Sequence, residues 1–338
     1  MDGIGLLQRF GPGTPTPIAS LAKIMTALVV LQHHPLAAGQ SGPSLVVTGA
    51  DVALYRQDQA QGQSVVKVRR GETLTERQLL EGLLIPSGNN FATMLARWVA
   101  GDPAAFVADM NAEAKSLGLR HTRYRDASGV SSATVSTAVD QVAVAEKAMA
   151  IPVFRHIVRM PQVVLPVAGK TFNVNYFLGK SGIIGIKTGT TLASGGCYMF
   201  AAKRPVGHQT ALIIGAVLGQ GGIKPLFTAL QAGRALLNAA GHALKPVAMI
   251  RRREEEAAVV VPWAIPQRVE SPATVDMIGW SGLIGHYRLQ PDGLGPSLSA
   301  KTRLGVLNMS LGQADTRFPL TLSRAVKAPS WVWRMIRL

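Results

Sequence analysis

One cysteine, Cys197, stands in 338 residues, so the chain can close no internal disulfide. It falls in an apolar run, Cys197-Tyr-Met-Phe-Ala-Ala202, which suits a packed core thiol rather than a nucleophile. Acids are scarce: 19 Asp and Glu against 35 Lys and Arg, a formal net charge of +16. From Lys147 to Arg253 there is no acid at all, while 14 Lys and Arg occur. That span can supply neither a carboxylate base nor a carboxylate metal ligand, but it can line a cleft that attracts an anion. The histidines show no H-E-x-x-H or other ligand spacing, so no metal and no cofactor is expected. No serine sits in a G-x-S-x-G elbow, which leaves a serine-histidine-aspartate triad without support. Zinc spacings and aromatic-basic motifs are missing too, so nucleic acid is not an expected partner despite the charge. The longest apolar run, around Ile24 to Leu31, is far short of the roughly 20 residues a membrane span needs. The opening Met1-Asp-Gly-Ile-Gly5 lacks the basic segment and apolar core of a signal peptide.

What is there suits one large domain and a smaller one. Residues 3–10 read as a short strand, and the prolines of Gly11 to Pro17 bar helix there. A helix is expected from about Ser20 to Gln32, and strands at Ser44–Thr48 and Ser64–Val68. Thr75-Glu-Arg-Gln78 matches a capping box, followed by the apolar face Leu79, Leu80, Leu83 and Leu84. Further helices follow Asn90, Asp102-Pro103 and Ser136-Thr137. Strands are expected over Gly182–Thr190, Cys197–Lys203 and Gln209–Val217, the last two joined as a hairpin, then a helix over Pro225–Ala239. Strands at both ends with helices between give an α+β domain, an antiparallel sheet packed by helices, over residues 1–246. The charge block Arg251–Glu256 marks a linker at 247–256. Short strand-like runs at Ala257–Trp263, Thr274–Ile278, Leu283–Leu289, Leu304–Leu311 and Arg317–Leu322 make residues 257–328 a small all-β domain. The tail, 329–338, holds two Trp and two Arg, which suit either a membrane interface or packing back onto the small domain.

Three polar clusters stand out: Ser20-x-x-Lys23, Ser87-Gly88-Asn89 and Lys187-Thr188-Gly189. Taken singly, each has a structural reading as a cap, a turn or a strand end. If Ser20 opens a helix, Lys23 lies one turn on and on the same face, which brings an amine to a hydroxyl. That pairing is the minimum for activating a serine without histidine. Lys23 must then be neutral; burial and the second cation, Lys187, would both push its pKa down.

Jointly the clusters resemble those of the D-alanyl-D-alanine carboxypeptidases, low-molecular-mass penicillin-binding proteins of the superfamily that also holds the serine β-lactamases. Ala19–Ala27, Gly71–Leu80, Ser136–Asp140, Gly185–Thr191, Met110-Asn111 with Leu117–Leu119, and Asn173-x-Asn175 also resemble family blocks. The resemblance covers about residues 3 to 245, and a small β domain after it is a family feature. It implies a β-lactamase/transpeptidase-like fold and removal of the terminal D-alanine of peptidoglycan pentapeptides through an acyl-enzyme on Ser20, with β-lactams as covalent inhibitors. Lys23 would be the base and Ser87 a proton relay, while Asn89 would orient Lys23 or bind the substrate's amide. The backbone N–H groups of Ser20 and Thr190 would form the oxyanion hole. Lys187, Thr188, Gly189 and Thr190 would bind substrate, the two threonines and the lysine taking its carboxylate. Many relatives add an arginine after the third hairpin strand, for which Lys224 is the candidate here. A D,D-endopeptidase acting on cross-links is the alternative. A class A β-lactamase would need S-D-N where this chain has S-G-N, and a glutamate that neither Asp140 nor Glu146 supplies. A noncatalytic envelope-binding module would tolerate loss of Ser20 or Lys23, and both are present. The resemblance implies an extracytoplasmic, cell-envelope protein; the basic charge and the Trp/Arg tail add the membrane surface or acidic wall polymers as candidate partners. The resemblance also implies a signal peptide and one more strand at the front, so the start is read as truncated or misassigned.

Overall fold

The computed structural model describes residues 4–251, 255–271, 273–293, 295, 297–312 and 314–336. Two compact units emerge: Arg9–Arg204 with Leu212–Ala240, and Pro205–Ala211 with Gly241 onward and the N-terminal residues to Gln8. Most of the expected charged linker, 252–254, lies outside the described residues, and strand is already running by Glu255.

In the larger unit, β1 (Thr16–Pro17) leads into a 3-10 turn (Ala19–Leu21) and then α1 (Ala22–His33). Ten successive residues of α1, Ala22 to Leu31, are buried, as befits a helix apolar on every side. The expected helix start at Ser20 is thus a tighter 3-10 turn, with the α-helix beginning two residues later. After β2 (Ser44–Val46) comes α2 (Gly49–Ala60), closed at its front by a capping box in which Thr48 N donates to Asp51 Oδ2 at 2.8 Å. β3 (Thr73–Thr75) pairs with β2 and ends at the Thr75/Gln78 capping box of α3 (Glu76–Leu84). Then follow α4 (Asn89–Ala100) and α5 (Pro103–Ser116), the latter capped by Asp102. β4 (Val135–Ser136) pairs with β1, and α6 (Ala138–Ala150) and α7 (Pro152–Ile157) precede the hairpin β5 (Gln162–Leu165) and β6 (Gly169–Phe172).

The sheet that matters for the site has the order β7 (Ile183–Thr191), β8 (Gly195–Val206), β9 (Gln209–Gln220). Behind it lies α8 (Pro225–Ala243), whose Gly233 admits the ring of Tyr198 where any Cβ would collide. Tyr198, Phe200, Ala229, Leu230 and Leu237 make this layer's own apolar cluster. A leucine or phenylalanine buried there stabilises by about 1.5–3 kcal/mol.

Two expected strands are not strands. Residues 4–10 run without sheet pairing, broken by Gly5 at φ +128°. Ser64–Val68 forms no strand and pairs with a side chain instead: Val66 N donates to Asn90 Oδ1 and Asn90 Nδ2 donates to Val66 O, each at 2.9 Å. A carboxamide carries one acceptor and a donor pair, so it can substitute for one rung of a neighbouring strand.

In the smaller unit, β10 (Lys245–Ile250) pairs with β13 (Val275–Gly279). β11 (Glu255–Val261), β12 (Ala264–Glu270), β14 (Gly285–Pro291), β15 (Arg303–Leu311) and β16 (Ala314–Leu322) form a sheet in the order β11-β12-β16-β15-β14. β12 carries Pro266 and two charges, which hides it from a hydropathy pattern. In the tail, α9 (Trp331–Ile336) sets Trp333 edge-on to Trp263, ring centroids 5.2 Å apart, while Trp331, Met335 and Ile336 stay exposed.

Candidate active site

Lys23 is fully buried, yet each of its three donors has an acceptor. Nζ stands 2.8 Å from Ser20 Oγ, 2.6 Å from Asn89 Oδ1 and 3.0 Å from the carbonyl oxygen of Ser128. The 3-10 turn and α1 bring Ser20 and Lys23 onto one face, and the first turn of α4 delivers Asn89. Burial holds the Lys23 amine well below its ordinary pKa of 10.5, and the Lys187 charge pushes the same way; Asp126 and Asp58 pull it back up.

The backbone here is strained where side chains must be aimed. Ala19, just before Ser20, has φ +47°, and Ser87 has φ +69°. Each costs on the order of 1–3 kcal/mol, which the surrounding packing must offset. Ser87 is buried in the connection between α3 and α4, and Gly88 follows because a Cβ there would stand 2.7 Å from Val66 Cγ2. The middle residue of the S-G-N triplet is therefore set by space. Asn89 does not cap α4 with its side chain; the carboxamide is spent on Lys23 and Gln63.

β7 runs past Ser20. A Cβ on Gly189 would stand 2.8 Å from Ser20 N and 3.0 Å from Ala19 Cβ, so glycine is what allows the strand this close. Lys187 and Thr188 are buried on the same strand, while Thr190 is exposed at its end. Lys187 Nζ donates to the Thr188 carbonyl at 3.0 Å, and burial brings its pKa down to about 7. Cys197 is paired across from Gly189 and buried, its thiol pushed up by burial first. Lys224 is different: it is exposed just ahead of α8, and its carbonyl caps that helix by accepting from Thr228 N at 3.0 Å. The structure therefore joins Ser20, Lys23 and Asn89 by hydrogen bonds and Gly189 by packing. Lys187 acts on Lys23 through its charge.

Three contributors escaped sequence reading. The Ser128 carbonyl is aimed by Asp126, whose Oδ2 accepts from Ser128 N at 3.2 Å, Ser128 Oγ at 2.7 Å, Gly129 N at 2.7 Å and Val130 N at 2.9 Å. The Asp126-x-Ser-Gly129 pattern, an aspartate turn ending in glycine, was the available signal. Gln63 accepts from Asn89 Nδ2 at 2.7 Å and had none.

A half-buried serine held by a buried lysine three residues on, beside a Lys-Thr-Gly strand, defines the class of lysine-activated serine acyl-transfer sites. The chain belongs to the D-alanyl-D-alanine carboxypeptidase family, whose profile matches residues 7–220. It is 38% identical over 195 residues to a D-alanyl-D-alanine carboxypeptidase of Mycobacterium tuberculosis, covering 56% of this chain and 62% of the relative. A D-alanyl-D-alanine endopeptidase of Pseudomonas aeruginosa is 36% identical over 135 residues, 40% of each chain. This chain thus spans less than two thirds of the length of either relative. Among solved structures, a Streptomyces DD-transpeptidase is 28% identical, with 67% of this chain and 88% of that chain covered and a TM-score of 0.57. A peptidoglycan synthesis regulatory factor of Streptococcus pneumoniae covers 95% of both chains at a TM-score of 0.70; at 18% identity it speaks for the fold alone.

Proposed function

We propose that this chain is a serine D-Ala-D-Ala carboxypeptidase that acylates Ser20 with a peptidoglycan stem peptide. The observation that carries the reading is the buried Lys23 with Ser20 Oγ, Asn89 Oδ1 and Ser128 O as its three partners. A neutral lysine keeps two N–H bonds and one lone pair. With the N–H bonds held by Asn89 Oδ1 and Ser128 O, the lone pair faces Ser20 Oγ and accepts its proton. Ser20 Oγ then attacks the carbonyl of the penultimate residue. The oxyanion is met by the N–H groups of Ser20 and Thr190, each worth roughly 3 kcal/mol in the transition state. Ser87 passes a proton to the leaving D-alanine, whose carboxylate is held by Lys187, Thr188 and Thr190. Water then hydrolyses the ester. Lys224 enters only as an exposed cation at the rim. β-Lactams present the same acyl group and carboxylate, and would acylate Ser20 in the substrate's place.

Labelling with a fluorescent penicillin tests this. The expected outcome is a labelled wild type, an unlabelled Ser20→Ala, and D-Ala release from a D-Ala-D-Ala peptide. Equal labelling of both proteins, or none of a folded wild type, removes Ser20 from the role. The relative named an endopeptidase supports a second reading, cleavage of cross-links, which a purified cross-linked dimer distinguishes from a pentapeptide.

The two lysines make a pH prediction. Loss of the Lys23 proton switches on the base, so kcat/KM rises with pH on the acid side. Lys187 loses its charge around pH 7, and with it the attraction for a carboxylate, so kcat/KM falls above that. A peptide ending in an amide should keep the rising limb and lose the falling one; identical bells for both peptides would count against Lys187 as the carboxylate's partner.

Such a substrate places the enzyme in the cell envelope, outside the cytoplasm. Among the described residues no helix is long and apolar enough to cross a membrane. The net charge of +16 and the exposed Trp331, Met335 and Ile336 beside Arg334 support contact with an anionic membrane surface or acidic wall polymers.

A further inference from the structure

We infer that Gln63 is a positioning residue for acylation: its side-chain carbonyl locks the Asn89 carboxamide in the one orientation that presents Oδ1 to Lys23. The inference rests on Lys23 acting as the base for Ser20. A carboxamide can turn over at little cost unless something distinguishes its two ends. If Asn89 turned, its NH2 would face Lys23, the amine's lone pair would be drawn to it, and Ser20 would lose its acceptor. What prevents this is on the other side of Asn89. Gln63 Oε1 accepts from Asn89 Nδ2 at 2.7 Å, and only an N–H end can make that bond. Gln63 is itself oriented, because its Nε2 donates to Gln61 Oε1 at 2.6 Å. Donation therefore runs one way from Lys23 to Asn89, to Gln63 and to Gln61, with Ser20 on the other side of the amine.

The backbone under Gln63 is fixed from both sides. Gly62, at φ +68°, ends α2 in a left-handed cap: Gly62 N donates to Gln59 O at 3.0 Å and Gln63 N to Asp58 O at 3.0 Å. This paired pattern satisfies the last carbonyls of a helix and sets the direction of the residue after the glycine. The next residue, Ser64, accepts at its carbonyl from Asn89 N at 2.8 Å. Gln63 thus sits between a closed helix end and the start of α4, with its side chain the remaining freedom.

The test is the rate of penicillin acylation, with four variants. Gln63→Leu keeps the size and removes the acceptor; the rate should fall about tenfold, the worth of one well-made hydrogen bond, with the unfolding midpoint near wild type. Gln63→Glu keeps an acceptor beside Asn89 Nδ2 and adds a negative charge near Lys23. It should recover most of the wild-type rate at alkaline pH, with the acid limb displaced to higher pH. Asn89→Ala and Asn89→Ala with Gln63→Leu should be equally slow, since Gln63 acts through Asn89. A Gln63→Leu rate within twofold of wild type overturns the inference. So does Gln63→Glu as slow as Gln63→Leu at every pH, or a further loss from Gln63→Leu on the Asn89→Ala background. A folded wild type that penicillin does not acylate fails the Ser20 reading itself and is told apart by the wild-type lane alone.

Discussion

Lys23→Met should remove acylation of Ser20 almost entirely, by roughly 10³-fold, the middle of the range a positioned general base contributes. Methionine matches the length of the lysine stem and fills the same buried space, so Ser20 keeps its place. What it cannot do is accept a proton. Burial and Lys187 hold the amine well below its ordinary pKa, and that makes it available as a base. The variant leaves Asn89 Oδ1 and the Ser128 carbonyl without their donor, at about 1–3 kcal/mol each. Its unfolding midpoint is therefore measured beside the labelling rate. Lys23→Arg is the companion: it supplies donors to both oxygens but stays protonated, and should be as inactive as methionine. Labelling of a folded Lys23→Met within tenfold of wild type would mean another group takes the serine proton.

The cost of this arrangement is a lysine that weakens the fold. A lysine whose folded pKa lies below its unfolded value binds its proton more tightly in the unfolded chain. Stability is lowest below the folded pKa and rises with pH between the two values. Lys23 and Lys187 are both buried and both shift this way. Asp126 and Asp58 offset part of it for Lys23, and Asp58 is correspondingly a buried acid whose own pKa is raised by burial. Carboxylates closer to Lys23 would restore its proton and stop the chemistry.

Legibility followed the range of the interactions. Ser20 and Lys23 are three residues apart on one turn, so local periodicity alone placed them together. The caps at Thr75 and Asp102 are local too, and both form as read. The capping box at Thr48-x-x-Asp51 was equally local but sits ahead of a polar helix with little apolar periodicity, and α2 went unread. Gln63 and the Ser128 carbonyl were out of reach for a different reason. An ordinary glutamine meets Asn89 across 26 positions of chain, and a backbone oxygen meets Lys23 across 105. The Asp126 pattern marks a turn but not its partner, Gln63 carries no mark at all, and only the packing of α2, α4 and the Asp126 turn around α1 brings them in. Ser64–Val68, a valine-rich run expected as a strand, differs for the same reason: Asn90, distant in sequence, supplies the partner a strand would have.

Gly129→Ala should damage fold and site together, and Gly101→Ala shows why. Both glycines have left-handed backbones, φ +83° and +75°. At Gly101, the C-cap of α4, an added Cβ meets nothing within 4 Å, so alanine there costs only the left-handed conformation, about 1–2 kcal/mol. At Gly129 the same Cβ would overlap the carbonyl of Ala19. Neither partner can retreat. Asp126 binds the N–H groups on both sides of Ser128 and closes the turn further through Thr134 Oγ1 at 2.6 Å. The Ala19 carbonyl belongs to the strained residue that sets Ser20, and it accepts from the N–H of Ala22 at the head of α1. Relief must come from moving the Ser128 carbonyl off Lys23 or tilting Ser20 away. Gly101→Ala should lower the unfolding free energy by that one conformational cost and label at the wild-type rate. Gly129→Ala should lose more stability, about 3 kcal/mol or above, and label at least tenfold more slowly in whatever fraction folds. Equal destabilisation of the two variants with full labelling of both would show that the Gly129 turn gives way freely and does not hold the lysine's third acceptor in place.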